Sequence, residues 1–588
     1  MRGGIVADIC RFGEYELDLT TLELRRQGRK LKLAPQPARV LALLASRAGD
    51  LVTRDELYRE LWGDRTFVDF ERGLNYCLNC IRAALRENAR SPRYIETLSR
   101  RGYRFICDVA PAARALRTLA VLPFENLNHD PEQDFFADGI ADALTTELGN
   151  VSALRVISRQ SVLHLKGSRQ TIPEIARRLK IDAVVEGSVL QAGGRVRITA
   201  QLVQAAPEQH LWAKAYECAV SDILTTQGAV ARAIAGAVEV ALSPAEEKRL
   251  ARARPIDPEA HVAYLKGRHH MGHGSREGYA KALDCFREAI EKDPSHALAH
   301  ANMADCYSML GHWGHLPFLD AFRKSKEAAG RALALDDALS SAHGASGWAA
   351  WVCDWDLETC EAETLRAIEL NPSDPGAHTT NAMFLVTTSD DRLRAVREMR
   401  LALDLDPLSQ LVNTVMAWVC LFAKDYDRAH ERARKTLELF PNSLQAYWVR
   451  GLAEACMSRY AEATVTFEKA AAISCEALSL TYLGCAHAMA GNADMGRVVL
   501  RDLQSRTERE CVPPRCFVFL HAALGEMDRA FEFLERAYQA RDSGLFWLRA
   551  MPLYEPLQRD PRFREMLRRL GIPRPPAPLV PAAKEGVS

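Results

Sequence analysis

Residues 68–107 read VDFERGLNYCLNCIRAALRENARSPRYIETLSRRGYRFIC, and this stretch decides what kind of domain opens the chain. Leu74, Leu78, Ile81 and Leu85 recur at i, i+4, i+7 and i+11, a spacing that predicts one apolar stripe along a helix. Arg72, Tyr76, Asn79, Cys80 and Ala83 fall on the far face, flanked by Asn75, Arg82 and Arg86. Tyr94-Ile95-Glu96-Thr97-Leu98 and Tyr103-Arg104-Phe105-Ile106 then alternate as two strands around Ser99-Arg100-Arg101-Gly102, a hairpin with an arginine-rich tip. A helix with a polar outer face, followed by a cationic hairpin, suits groove insertion into double-stranded DNA with a second contact on the backbone. The competing reading is an ordinary helix and hairpin on any α+β domain.

Upstream, short alternating strands are expected at 12–17, 22–25 and 30–33. Pro35 and Pro37 open a helix carrying Val40, Leu41, Leu43 and Leu44, and Gly49-Asp50 stops it. After Val52, Thr53 is the expected N-cap of a second helix over 54–62, with Leu57 and Leu61 inward, and the loop GDRTF leads into the third. The stretches LKLAPQPARVLALLASRAGDLVTRDELYRELWG and YIETLSRRGYRFI make segment 10–107 resemble the OmpR/PhoB-type winged helix-turn-helix DNA-binding domain. The resemblance implies that the third helix enters the major groove and that the wing touches the adjacent minor groove or phosphates. Carried over by position, Arg72, Asn79 and Arg82 face DNA on the helix, with Asn75, Tyr76 and Arg86 beside them and Arg100 and Arg101 at the wing. That family commonly presents consecutive basic residues where Asn79-Cys80 stand here. Few arginines mean few salt-dependent phosphate contacts, so pairing two copies on adjacent half-sites is expected to compensate.

At 588 residues the chain exceeds what one core normally serves, so several domains are expected. The first 107 residues carry 20 Lys and Arg against 14 Asp and Glu, and the remainder balances that excess to a net charge of zero. A basic end on an otherwise acidic chain fits nucleic-acid contact at that end. No apolar run is long enough for a membrane span, and the first eighteen residues lack the apolar core of a signal peptide. Fifteen scattered Cys argue for reduced thiols in a cytoplasm. Cys77-x-x-Cys80 shares a helix face but has no second pair at zinc spacing, so it is read as two incidental thiols.

A linker at 108–115 leads to an α/β unit over 116–250. A buried strand over 119–124, a helix over 135–148, a strand over 154–157 and a helix over 172–179 precede strands at 182–189 and 195–202 joined at Gly193-Gly194. A strand over 211–216 and a helix over 223–242 complete it. AVLPFENL, FFADGIADALTTEL, VEGSV and RITAQLV resemble the TolB amino-terminal-like module, which implies no enzyme activity. There is no phosphate-binding GxxxxGK loop and no GxGxxG after a strand. Asp138, Asp142 and Glu147 are read as the solvated face of the 135–148 helix.

From 259 to about 542 the chain repeats. Ala282, Phe286, Ala289 and Pro294 share their spacing with Ala395, Met399, Ala402 and Pro407, and Ala463, Phe467, Ala470 and Ala530, Leu534, Ala537 follow without the proline. This is the tetratricopeptide signature, about eight repeats, in which small residues let two helices approach and a large one fills the gap. Stacked repeats bury a continuous core and leave a concave groove for a peptide or protein. Capping helices are expected over 543–572 and a disordered Pro-rich tail over 573–588. Eight of the 16 His lie between His261 and His315, including the pairs His269/His273, His296/His300 and His312/His315. Such pairs can hold a metal or sense pH, but chance enrichment on repeat helices is the preferred reading.

The expected architecture is multidomain: an α+β winged helix-turn-helix, an α/β module, then an all-α tetratricopeptide superhelix. The expected function is a cytoplasmic one-component transcription regulator that binds promoter DNA as a homodimer and meets a protein or signal through its repeats. It resembles the CadC/ToxR-like group without that group's membrane span, and it shares the OmpR/PhoB family's association with phosphorelay signalling although no receiver precedes the winged helix. The alternative is an interaction scaffold with a degenerate winged helix. No catalytic residue, cofactor or metal is assigned.

Overall fold

The structure, a computed structural model, describes residues 9–19, 22–26, 29–61, 70–98, 101–111, 116–130, 133–166, 168, 170–251, 257–272, 275–312, 315–389, 391–509 and 512–572. Arg100, His273, the whole GDRTF loop and the tail 573–588 lie outside the described residues. The chain forms two compact units, Met1–Leu116 and Arg117–Ser588.

The first unit is winged-helix-like. β1 (Ile9–Phe12), β2 (Tyr15–Asp18), β3 (Leu24–Arg26) and β4 (Arg29–Lys30) form a meander, and β8 (Ala110–Pro111) closes it against β1. The expected single strand over 12–17 is a hairpin instead: Gly13 turns at φ +54° and Phe12 pairs with Tyr15. The alternation misled because both arms bury into one core, Phe12, Tyr15 and Leu17 together. Three helices follow, α1 (Pro35–Ser46), α2 (Arg54–Leu61) and α3 (Phe70–Leu85). Thr53 and Glu56 cap α2 reciprocally: the Thr53 amide donates to Glu56 Oε2 at 2.8 Å and the Glu56 amide to Thr53 Oγ1 at 3.2 Å. β6 (Ile95–Leu98) and β7 (Gly102–Phe105) form the hairpin, and β5 (Leu51–Thr53), unforeseen in the sequence, adds a third strand against β7.

Gly102 allows that third strand. Its φ is +154°, and a Cβ there would lie 2.1 Å from the Val52 carbonyl oxygen. Gly102→Ala should therefore detach β5 from β7 at a cost on the order of 1–3 kcal/mol, read as faster hydrogen exchange of the hairpin amides. Unchanged exchange would contradict the close approach.

The second unit begins with a mixed sheet, in the order β11-β9-β12-β13-β14, with β10 (Glu125–Asn126) beside β12. β9 (Thr118–Val121), β11 (Arg155–Val156) and the start of β12 (Ala183–Ala192) run parallel, while β12, β13 (Arg195–Ala205) and β14 (Glu208–Ala219) form an antiparallel meander. Gly193 and Gly194 turn between β12 and β13 at φ +55° and +74°, the pair of positive values that a two-residue hairpin loop requires. α5 (Arg159–Leu163) and α6 (Ile172–Leu179) bury the Ala120, Val184 and Val203 face. α4 (Asp134–Gly149) and α7 (Ile223–Ala237) pack on each other and on the sheet, and α8 (Pro244–Ala251) leads on to the helical array.

The array contains, among the described residues, eight helix pairs, from α9 (Pro258–Met271) with α10 (Arg276–Lys292) to α23 (Pro514–Ala523) with α24 (Met527–Gln539). Between them lie α11 (Ala297–His312), α12 (Phe318–Leu335), α13 (Ser340–Ala349), α14 (Leu357–Leu370), α15 (Pro375–Thr388), α16 (Arg392–Leu405), α17 (Gln410–Phe422), α18 (Tyr426–Leu439), α19 (Leu444–Cys456), α20 (Tyr460–Ile473), α21 (Ala477–Met489) and α22 (Ala493–Arg506). The repeat positions behave as their spacing implies: Ala282, Phe286 and Ala289 are fully buried, and a Cβ on Gly267 would strike the Phe286 ring at 2.5 Å.

Two features of this unit differ from the sequence reading. Asp138 and Asp142 are not solvated; both are buried where α4 meets the first repeat. Arg268 of α9 holds Asp142, and Asp138 receives Lys166 Nζ at 3.0 Å and His269 Nδ1 at 3.2 Å. Burial pushes the Asp138 carboxyl up, but those two donors outweigh it and hold it below the ordinary carboxylate value. Further along, Ser161 Oγ donates to Asp406 at 2.6 Å and the Val156 amide to Ser373 Oγ at 3.1 Å, so the α/β part also meets the segments that follow α14 and α16.

The second feature is a filled groove. The short helical turn Ser543–Trp547 crosses the array, and Phe546 lies 5.2 Å from Trp351 of the segment after α13 and 6.1 Å from Trp348. Trp547 lies 5.2 Å from Trp418 and 5.6 Å from Phe422, both on α17. A further turn, Pro552–Leu557, and α25 (Pro561–Arg569) complete the end of the array, with Tyr554 buried 4.8 Å from Phe519. The first helices of the third and fifth repeats are thus covered in part by the chain itself.

Candidate nucleic-acid interface

α3 presents the two faces that its sequence predicts. Leu74, Leu78, Ile81 and Leu85 are buried with Cys77 against α1 and the sheets. Arg72, Asn75, Tyr76, Asn79, Ala83 and Arg86 are exposed, and Tyr76 is 64% exposed, an unusual position for an aromatic ring. Arg101 is exposed at the hairpin tip, where its amide donates to the Leu98 carbonyl at 2.9 Å.

Arg82 departs from the expected outward role. Its side chain is only 12% exposed, and Nη2 donates to Thr97 Oγ1 at 2.8 Å and to the Ile95 carbonyl at 3.3 Å. Its Nε stands 3.5 Å from Glu87 Oε1, and Glu87 in turn accepts the Tyr94 amide at 2.6 Å and the Ile95 amide at 3.2 Å. Arg86 ends the helix at φ +51°, which turns Glu87 back toward the hairpin. The Arg82–Glu87 pair therefore fixes the angle between α3 and the wing, and Arg82 is a positioning residue. Sequence periodicity missed Glu87 and Thr97, since a lone acid between helix and strand has no period. On the far side of the hairpin, Arg54 Nη2 donates to the Tyr103 hydroxyl at 3.2 Å.

The histidine-rich repeats form no comparable site. Among the described residues no group of three or more His, Cys, Asp or Glu could hold a metal ion. His261 is 1% exposed, with its ring 6.2 Å from His296, and neither nitrogen has a hydrogen-bond partner. Burial, and secondarily His296, push its pKa down to about 3. The folded state therefore refuses a proton that the unfolded chain accepts below about pH 6.5, so stability falls as pH drops through that value, by about 1.4 kcal/mol per pH unit. His261→Phe should flatten the decline in melting temperature between pH 6.5 and 5; an unchanged decline would assign it elsewhere.

Comparison with known proteins places this geometry in context. Residues 28–105 match the family described as transcriptional regulatory protein, C terminal; residues 115–230 match the HilA/YgeH-like transcriptional regulator second domain; and residues 285–314 match a tetratricopeptide repeat. A putative adenylate cyclase 3 of Rhizobium meliloti (strain 1021) is 37% identical over 194 residues, 33% of this chain and 33% of that protein. Transcriptional regulator HilA of Salmonella typhimurium is 25% identical over 323 residues, 53% of this chain and 56% of that protein. Among solved structures, the DNA-binding domain of E. coli CadC is 25% identical, covering 19% of this chain and 100% of that one, with a TM-score of 0.16. The chain thus spans between a third and just over half of the length of these two curated relatives.

Proposed function

We propose that the chain is a sequence-specific DNA-binding transcription regulator in which α3 lies in the major groove and the β6–β7 hairpin meets the neighbouring backbone. The observation that carries this is the latch between them. Arg82 and Glu87 hold helix and wing at a fixed angle while the outer face of α3 stays exposed and polar. A rigid pair of elements can meet base edges and phosphates together without an ordering cost. Arg72, Arg86 and Arg101 would meet phosphates, with Arg100 beside them. Asn75, Asn79 and Tyr76 would meet base edges, where asparagine suits adenine. The family matches at 28–105 and 115–230 support the same reading.

The α/β part, a TolB amino-terminal-like module, joins the DNA reader to the repeats, and the repeats meet a protein partner. Because Phe546 and Trp547 cover the inner face of the middle repeats, that partner docks elsewhere on the array. No helix among the described residues is long and apolar enough to cross a membrane, and we place the regulator in the cytoplasm. The reading is non-enzymatic; the cyclase-named relative shares only a third of its length. Selection of duplexes by the full chain from a randomised pool tests the proposal. Enrichment of one motif, relaxed at one position by Asn79→Ala, supports it, and recovery of unrelated sequences would sink it.

A further inference from the structure

We propose that β14 is a dimerisation edge, on which a second copy of this chain adds its own β14 antiparallel to the first. β14 spans 12 residues, about twice a typical strand, and it is the last strand of its sheet. Among the described residues no strand pairs with its outer side. Such an edge presents a row of unpaired N–H and C=O groups, and folded proteins usually shorten, charge or cover it. The opposite edge of this sheet follows that rule: β11 is two residues long, and the Val156 amide meets Ser373. β14 is protected only in part. Its register against β13 shifts between Leu202 and Val203, which makes Leu211 the extra residue and leaves 212–219 regular.

The regular stretch reads Trp-Ala-Lys-Ala-Tyr-Glu-Cys-Ala, and its self-complementarity selects the occupant. A two-fold axis perpendicular to the sheet must bring residues of like parity together. Centred on Ala215, it opposes Trp212 to Cys218, Ala213 to Glu217 and Lys214 to Tyr216 of the second copy, so no like charges face each other. Centred on Lys214 it would oppose two lysines, and centred on Tyr216 it would oppose Lys214 to Cys218 and lose the pairing of Lys214 with Tyr216. Lys214 already lies 4.9 Å from the Tyr216 ring within one chain, and the chosen register repeats that contact across the axis. A two-fold pair closes on itself and generates no filament. Eight residues from each chain make a small interface, which implies micromolar affinity. Two chains so joined carry two winged helices, and that consequence alone rests on the DNA-binding reading; half-sites on one duplex would then strengthen both contacts by avidity.

The test uses the full chain without DNA, so its failure leaves the DNA-binding reading standing. Ala215→Cys places two thiols opposite each other at a Cα separation of about 4.5–5.5 Å, within disulfide range. Mild oxidation should give a covalent dimer, while wild type and Ala213→Cys, whose thiols would stand about 14 Å apart, give little. Ala215 is exposed, so Ala215→Lys should keep the melting temperature while weakening dimerisation about fivefold in sedimentation at tens of micromolar. A monomeric wild type at about 100 μM, equal cross-linking at positions 213 and 215, or an undiminished Ala215→Lys dimer would each overturn the proposal.

Discussion

Arg268→Met should destabilise the Arg117–Ser588 unit by about 3–5 kcal/mol, because it strands the buried Asp142 carboxylate. Arg268 Nε donates to Asp142 Oδ2 at 2.7 Å, Nη2 makes a second contact, and Nη1 reaches Asn302 of α11. Burial disfavours the guanidinium charge, but Asp142 more than restores it, so the Arg268 pKa stays above its ordinary value. Arg159 Nη1, 3.7 Å from the same Asp142 oxygen, is too distant to compensate fully. The informative comparison adds Asp142→Leu. Each single variant leaves one charge buried without its partner, whereas the double variant replaces both with apolar groups and should recover most of the loss. Denaturant unfolding of the four proteins reads the coupling directly. Additive losses would mean that Asp142 and Arg268 do not act as a pair.

Phe546→Ala should destabilise the middle repeats by about 3–5 kcal/mol, the usual range for removing a buried aromatic ring. Phe546 is 7% exposed and wedged between Trp348, Trp351 and Trp547, and Trp351 also packs edge-on against Phe384 at 5.7 Å. The cavity it leaves is walled by the Trp348, Trp351 and Trp547 rings, which are too large and rigid to collapse into it. The signature is quenching or exposure of the Trp348 and Trp351 fluorescence together with a lowered unfolding midpoint. If Phe546→Ala unfolds with wild-type stability, the 543–547 turn is a surface appendage and the inner face is open.

These two sites are also where sequence reasoning fell short, for one physical reason. Periodicity reports local partners, and it identified the Leu74–Leu85 stripe, the Gly193-Gly194 turn and the Ala-Phe-Ala spacing of the repeats because each depends on residues within one or two turns. Asp142 gave a solvated-face pattern since its counter-ion lies 126 residues away. Leu545-Phe546-Trp547 read as an ordinary end cap because the tryptophans that receive it come from earlier repeats. On the outer face of α3, helical spacing placed Asn75, Tyr76 and Asn79 correctly on the outside. It could not turn Arg82 inward, because Glu87 and Thr97, which capture it, belong to the next elements. A flanking arginine can snorkel either way, and only its anchor decides.

If α3 and the wing read DNA, their phosphate contacts set how the affinity of the full chain for a selected duplex changes between about 50 and 200 mM salt, measured for wild type, Arg72→Ala and Arg101→Ala. Log K should fall linearly with log salt concentration, and each substitution should lower the slope by about 0.9, one phosphate contact apiece. Binding that ignores salt, or a slope that neither substitution changes, would contradict that reading.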